Sequence, residues 1–126
     1  MAIHSESDIV AVRQAVRHWA VELSLSSVEQ TKMVTAASEL ARNTLVHGGG
    51  GTVKLEALTN GLRRGLRLTF EDHGPGIPNV EQALQNGYTT GKGLGLGLSG
   101  SKRLVNEFDI WSQPGKGTRV TITRWK

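Results

Sequence analysis

The sequence contains no cysteine among its 126 residues, and no stretch of it is apolar for long. Without cysteine there is no disulfide, no thiolate metal ligand and no thiol nucleophile, and we expect a cytoplasmic protein. A membrane-spanning helix needs about 20 apolar residues, which no segment provides. The N-terminal segment MAIHSESDIV lacks the basic and apolar stretches of a secretory signal. We therefore expect neither a membrane protein nor a secreted one.

Aromatic residues are also scarce, at 5% of the chain, although the formal net charge is +4. Proteins that bind nucleic acids usually cluster their basic residues, often with aromatic side chains for stacking. Here the basic residues are scattered, as at Arg13, Arg17, Lys54 and Lys102–Arg103. We expect no nucleic-acid partner, and interpret the charge as a solvated surface that attracts phosphates or an acidic protein.

Two amphipathic helices are predicted in the first part of the chain. Apolar residues recur at three- and four-residue steps after Ser5, which can cap the first helix with Asp8 three positions later. The second helix is predicted to have Ser27 as its cap and to end at the four glycines that begin with Gly48. Its predicted buried stripe comprises Val28, Met33, Val34, Ala37, Leu40, Ala41 and Leu45.

The remaining segments predict a sheet. TVKLEALTN and GLRLTFED have strand-like patterns on either side of a turn that runs from Asn60 through Gly65. A helix is predicted after the glycine-rich segment, followed by two more strands around a PGKG turn. Hairpins with helices between them indicate an α+β fold, in which helices pack on one face of a mixed, mostly antiparallel sheet. We expect residues 1–126 to form a single domain.

The segment ELARN is the first of three motifs whose residues could bind a ligand or take part in catalysis. It places Glu39 and Asn43 four residues apart, on one face of the second helix. Asn43 could offer a neutral oxygen to Mg²⁺, and Glu39 could accept a proton from an attacking hydroxyl. The alternative is an exposed helix face on which Glu39 pairs with Arg42.

The second motif, EDHGPGIP, follows a predicted strand. The carboxylate of Asp72 could accept a hydrogen bond from the exocyclic amine of adenine, while Gly74 and Gly76 let the backbone approach the base. The alternative is a polar exit from strand to turn, for which Asp, Gly and Pro are common residues.

The third motif, GKGLGLGLSGSK, has five glycines in twelve residues. It could be a strand with leucines on one face, or backbone exposed to phosphate. A Walker A loop is excluded because no Ser or Thr follows Lys92. A dinucleotide-binding motif is excluded because this sequence has neither a buried strand before the glycines nor an acidic residue about twenty positions after them. A glycine loop that runs into a helix N-terminus remains, with residues 86–96 as a mobile lid over a nucleotide.

In this order and spacing, ELARN, DHGPGIP and GKGLGLGL resemble the N, G1 and G2 boxes of the GHKL ATPase and kinase superfamily, and GKGTRVTI resembles its closing strand. Longer segments, among them QTKMVTAASELARNTLVHGGGG, resemble the RsbT-type serine/threonine switch kinases of bacterial stress-response modules. The resemblance extends from about Ile3 to Thr123. The chain departs from sensor histidine kinases at Thr44-Leu45-Val46, where those proteins carry a lysine.

This resemblance implies a Bergerat-type two-layer α/β sandwich that binds ATP and Mg²⁺. Glu39 would be the catalytic residue, Asn43 the metal ligand and Asp72 the adenine contact, with Thr118 behind the base. The other implied nucleotide contacts are His47, Gly74, Gly76, Ile77, Lys92, Gly93, Leu94, Gly95, Leu96, Gly97 and Leu98. His47 alternatively suits the helix C-terminus electrostatically.

The resemblance also implies a function, which is that of an ATP- and Mg²⁺-dependent protein serine/threonine kinase. Its substrate would be a serine or threonine on a STAS-domain protein of a partner-switching module such as a stressosome. Once released from that protein, the kinase would bind and activate a PP2C-type phosphatase without chemistry. Two alternatives stay open: an anti-sigma factor kinase that sequesters a sigma factor, and a binding module that uses nucleotide only as a switch. An intact Glu39 favours catalysis over the switch.

Overall fold

The computed structural model describes residues 1–85 and 96–126. Within them the chain forms β1 (Ala2–Ile3), α1 (Glu6–Glu22), α2 (Ser27–Val46), β2 (Gly51–Asn60), β3 (Arg63–Asp72), α3 (Val80–Ala83), α4 (Leu96–Arg103), β4 (Glu107–Gln113) and β5 (Gly117–Trp125). The strands form one sheet in the order β1-β2-β3-β5-β4, and every described pairing is antiparallel. No helix in the described ranges is long and apolar enough to cross a membrane.

Helices α1 and α2 cover one face of this sheet because alternate strand residues on that face are apolar. Leu66, Leu68 and Phe70 of β3 are buried there, next to Val120 and Ile122 on β5. The helices contribute the rest of the core, which includes Ile9, Val12, Val16, Ala20, Met33, Ala36, Ala37, Leu40 and Ala41. The predicted α+β fold with helices on one face is therefore confirmed, and its sheet is antiparallel rather than mixed throughout the described residues.

The start of α2 differs from the prediction by one residue. Ser26, not Ser27, is the N-cap: the hydroxyl of Ser26 accepts the backbone N–H of Glu29 at 3.1 Å. The Glu29 carboxylate accepts the backbone N–H of Ser26 at 2.8 Å, which completes a capping box and lowers the pKa of Glu29. Val28, predicted as buried, is 63% exposed because it lies in the first turn on the solvent side of the helix.

We expect Ser26→Ala to lower the free energy of unfolding by about 0.5–2 kcal/mol, because the Glu29 N–H loses its acceptor. Ser27→Ala removes a neighbouring hydroxyl that is not the cap, and should change stability by less than about 0.5 kcal/mol. Urea denaturation of the two variants measures both effects. Equal destabilisation by both substitutions would contradict the observed cap.

The turn between β2 and β3 is tighter than predicted. It contains only Gly61 and Leu62, and the positive φ of 63° at Gly61 suits a residue without a side chain. Gly65, predicted as part of this turn, lies within β3 and pairs with Trp125 of β5. A Cβ atom at Gly65 would lie 2.7 Å from the indole ring. Glycine is needed there because the tryptophan packs across the neighbouring strand.

Candidate functional site

A cavity of about 270 Å³ lies between α2, the loop after β3 and the start of the last helix. Its volume lies just below the range of about 300–1,000 Å³ that is usual for small-molecule sites. Leu40, Phe70, Ile77, Leu98 and Val120 give it apolar walls. Polar groups come from Asn43, Thr44, His47, Asp72, Asn79, Gln82 and Thr118. The exposed surface of the cavity is mostly apolar, with polar side chains that can fix the orientation of a ligand, as is typical of small-molecule sites.

The most unusual polar group in this cavity is Asp72, the last residue of β3, which is only 9% exposed. Its Oδ1 accepts the backbone N–H of Gly74 at 2.9 Å, and the backbone N–H of Thr118 also donates to the carboxylate. Burial raises the pKa of Asp72 above its ordinary value, while these two N–H groups and the nearby His73 and His47 oppose the shift. A carboxylate can accept about four hydrogen bonds, so Asp72 retains acceptor capacity for a ligand.

Glycines surround Asp72 because side chains would not fit. A Cβ at Gly48 would lie 2.5 Å from the Cβ of Asp72, and a Cβ at Gly117 would collide with the carbonyl oxygen of Asp72. Gly74 in turn lies close to Gly48: a Cβ added at Gly74 would lie 2.7 Å from the Cα of Gly48. Gly74 does not line the cavity, but it holds the carboxylate through its N–H. Its contribution is therefore indirect, through the position of Asp72.

We expect Gly48→Ala to lower the free energy of unfolding by about 1–3 kcal/mol, because the new methyl group must displace Asp72. Gly100→Ala is the matched control: a Cβ at Gly100 meets no atom within 4 Å, and alanine favours the helix there. Thermal denaturation should show a lower midpoint for the first variant and an equal or higher midpoint for the second. A wild-type midpoint for Gly48→Ala would show that the packing around Asp72 can accommodate a methyl group.

The loop after β3 is held against the β4–β5 hairpin. The backbone N–H of Ile77 donates to the hydroxyl of Ser112 at 2.7 Å, and the N–H of Gly115 donates to the carbonyl of Pro75 at 2.8 Å. Gly76 has a φ of 77°, and a Cβ there would collide with the carbonyl of Gln113. Gly76 and Ile77 are predicted from the sequence, and both line the cavity. Ser112 is not, since a single serine in a strand has no distinctive pattern.

On α2, the two functional candidates of the ELARN motif have different environments. Asn43 lines the cavity, whereas Glu39 is exposed one turn earlier and lies outside the lining. The alternative pairing of Glu39 with Arg42 is wrong, because Arg42 instead forms an ion pair with Glu6 of α1 at 3.1 Å. Glu39 thus lies near the cavity with an unpaired carboxylate, as far as the described residues show. His47, the C-cap of α2, lines the cavity as well.

The glycine-rich motif lies partly outside the described residues. Lys92, Gly93, Leu94 and Gly95 fall there, and so does most of the predicted lid. Helix α4 begins at Leu96, so Leu96, Gly97 and Leu98 are helical, as expected for a loop that runs into a helix. The alternative strand therefore does not extend to these three residues. Leu98 is 5% exposed and lines the cavity.

The described residues do not form a complete metal site by themselves. Within residues 1–85 and 96–126, no group of three or more His, Asp or Glu side chains is arranged to hold an ion. Asn43 lines the cavity, and its side chain carries an amide oxygen that can bind a metal. Mg²⁺ typically takes one or two protein ligands and completes its shell with water and substrate phosphates. The donor set fits Mg²⁺ that arrives with a phosphorylated ligand.

Comparison with known sequences identifies related proteins over nearly the whole chain. A family model described as "Histidine kinase-, DNA gyrase B-, and HSP90-like ATPase" matches residues 28–126. The chain is similar to the serine/threonine-protein kinase RsbT of Bacillus subtilis (strain 168), with 42% identity over 123 residues, which covers 98% of this chain and 92% of that protein. It is also similar to an anti-sigma F factor of Clostridium kluyveri, with 33% identity over 118 residues and coverage of 89% and 82%.

Solved structures support the fold. A Mycobacterium tuberculosis structure of RsbU and RsbW domains gives a TM-score of 0.68 at 22% identity, and covers 98% of this chain and 31% of the longer one. The catalytic domain of the histidine kinase ThkA gives 0.57 at 14% identity, with coverage of 98% and 93%. The predicted enzyme class, a protein serine/threonine kinase, agrees with the name of the relative at 42% identity. The chain belongs to the family of histidine kinase-, DNA gyrase B- and HSP90-like ATPases.

Proposed function

We propose that the protein is an ATP- and Mg²⁺-dependent serine/threonine kinase of a partner-switching module, and that its cavity binds the adenine of ATP. The observation that carries this proposal is the buried carboxylate of Asp72 in a largely apolar cavity. The exocyclic amine of adenine would donate to Asp72. Phe70, Ile77 and Val120 would contact the apolar faces of the base, and Thr118 would lie behind it.

The phosphates would extend from the base toward α2 and the start of α4. Asn43 would bind Mg²⁺ through its amide oxygen, and the metal, when bound, neutralises charge on the phosphates. His47 lines the same cavity and would contact the phosphates. The start of α4 at Leu96 would contribute backbone N–H groups to them. The proposed contacts of residues 92–95 remain predictions from the sequence.

Glu39 would act as the general base in phosphoryl transfer. It lies one turn from Asn43 on α2, and its exposure leaves it accessible to a hydroxyl on a protein substrate. The substrate oxygen would attack the γ-phosphorus, the bond to the β-phosphate oxygen would break, and ADP would leave. The proton of the hydroxyl would pass to Glu39. The products would be ADP and a phosphoserine or phosphothreonine.

The proposed substrate is a STAS-domain protein, and the proposed second partner is a PP2C-type phosphatase, both in the cytoplasm. The relationship to RsbT at 42% identity supports this assignment. An anti-sigma factor kinase is the second candidate, because anti-sigma F factors are similar at 33% identity over 89% of the chain. The two candidates share the ATP site and differ in the protein that is bound.

A transfer assay distinguishes these candidates. The protein is incubated with Mg²⁺-ATP and the purified STAS-domain proteins and sigma factors of its own organism, and phosphate incorporation is measured by mass spectrometry. We expect a phosphorylated serine or threonine on a STAS-domain protein, and no transfer with Asn43→Ala. Stable binding of a sigma factor would favour the second candidate. Absence of both transfer and ATP binding would contradict the proposed function.

A further inference from the structure

The hydroxyl of Ser112 on β4 makes three contacts beside the proposed base site. Its Oγ accepts the backbone N–H of Ile77 at 2.7 Å and donates to the carbonyl oxygen of Gly117 at 3.0 Å. It also lies 3.0 Å from Oγ1 of Thr118. Ile77 and Thr118 both line the cavity, whereas Ser112 does not. Ser112 therefore influences the cavity only through its neighbours.

The number of hydrogens on each group determines which hydroxyl donates in the hydrogen bond between Ser112 and Thr118. A serine hydroxyl has one hydrogen and two acceptor sites. The Ile77 N–H can only donate and the Gly117 carbonyl can only accept, so all three contacts are satisfied only when the Ser112 hydrogen points to Gly117. The Thr118 hydroxyl must then donate its own hydrogen to Ser112. Thr118 Oγ1 is left with lone pairs alone for any other partner.

The Thr118 oxygen and the Asp72 carboxylate together form an acceptor-only part of the cavity. Asp72 and Thr118 are paired across β3 and β5, and the Thr118 backbone N–H is already used by the carboxylate. An exocyclic amine can donate two hydrogens to such groups, whereas an oxo group can donate none. Acceptors that face an oxo group leave it without a hydrogen bond, which costs binding free energy.

We propose that Ser112 is a positioning residue for base selection: it holds the Thr118 hydroxyl as an acceptor and so favours a purine with an amino group at C6 over one with an oxo group. This inference rests on the proposed function, since it requires a nucleotide base in the cavity. Without Ser112, the Thr118 hydroxyl rotates and can donate to an oxo group. The preference for ATP over inosine triphosphate (ITP) then falls.

The test is calorimetric titration of ATP and ITP, with Mg²⁺, into wild type and Ser112→Ala. We expect the ratio of the two affinities to fall about threefold to tenfold in the variant, the effect of one hydrogen bond. Loss of the Ile77 acceptor weakens both nucleotides alike, so the ratio isolates the effect on Thr118. Ser112→Thr keeps a hydroxyl and should keep the ratio. Thr121→Ala removes a hydroxyl from the opposite face of β5 and should change neither affinity.

A second pair of variants tests the route through Thr118. Thr118→Val should lower the ATP to ITP ratio by a similar factor, and adding Ser112→Ala to it should change the ratio no further. An unchanged ratio in Ser112→Ala, in a protein whose wild type prefers ATP, would overturn this inference and leave the ATP site intact. A wild type that binds neither nucleotide would overturn the proposed function, and this inference with it.

Discussion

Asp72→Asn is expected to weaken ATP binding by about 10–100-fold while the protein stays folded. The amide of asparagine can present an N–H donor to the adenine amine, which is itself a donor. The loss of one hydrogen bond to a charged group corresponds to that change in affinity. Titration of an ATP analogue into both proteins measures it. Undiminished affinity in a folded variant would remove Asp72 from the base site.

The same substitution should not reduce stability at neutral pH. Burial raises the pKa of Asp72 in the folded protein above its ordinary value of 3.8, so the folded state holds the ionised carboxyl at a cost when the pH exceeds both values. Asparagine removes that charge, so the thermal unfolding midpoint of the Asp72→Asn variant should be at least as high as that of the wild type. Below pH 3.8 the carboxyl is protonated in both states, and this advantage of the variant should disappear. A midpoint clearly below wild type at neutral pH would show that the carboxylate is needed for folding.

Glu39→Ala is expected to lower the rate of phosphoryl transfer by about 10²–10⁴-fold if the carboxylate is the general base. Affinity for Mg²⁺-ATP should stay close to wild type, because Glu39 lies outside the cavity lining. Single-turnover transfer to the protein substrate, together with nucleotide titration, separates the two effects. Glu22→Ala is the control, since this glutamate is also exposed but lies on α1.

Phosphoryl transfer at the wild-type rate in Glu39→Ala would show that Glu39 has no catalytic role, and the general base would then be another group. Loss of ATP binding in the same variant would also contradict the proposed role, because it would place Glu39 among the nucleotide contacts.

Periodic patterns predicted the elements of this fold well, and the errors occur where a single contact decides the structure. The stripes of α1 and α2 and the alternation in β2 and β3 repeat often enough to be recognised. By contrast, β1 has only two residues, too few for any pattern, and it exists because they pair with the start of β2. The sequence predicts a turn at Gly65 because glycine often marks one, whereas this glycine lies in β3 and makes room for Trp125.

The candidate site shows the same division. Asp72 was predictable because an acidic residue followed by glycines at a strand end is a recognisable signal, and the structure places it in the cavity. Gly48 and Gly117 contribute by their lack of a side chain next to Asp72, a contact between segments far apart in the sequence. Ser112 acts through two backbone groups and one hydroxyl. Such contacts depend on tertiary structure, and no local pattern reports them.

The most direct test is a crystal structure of the protein with Mg²⁺ and a non-hydrolysable ATP analogue. We expect the adenine in the cavity, its exocyclic amine within hydrogen-bonding distance of the Asp72 carboxylate, and the metal bound to the Asn43 amide oxygen and phosphate oxygens. A nucleotide bound elsewhere, or in this cavity with its amine away from Asp72, would contradict it.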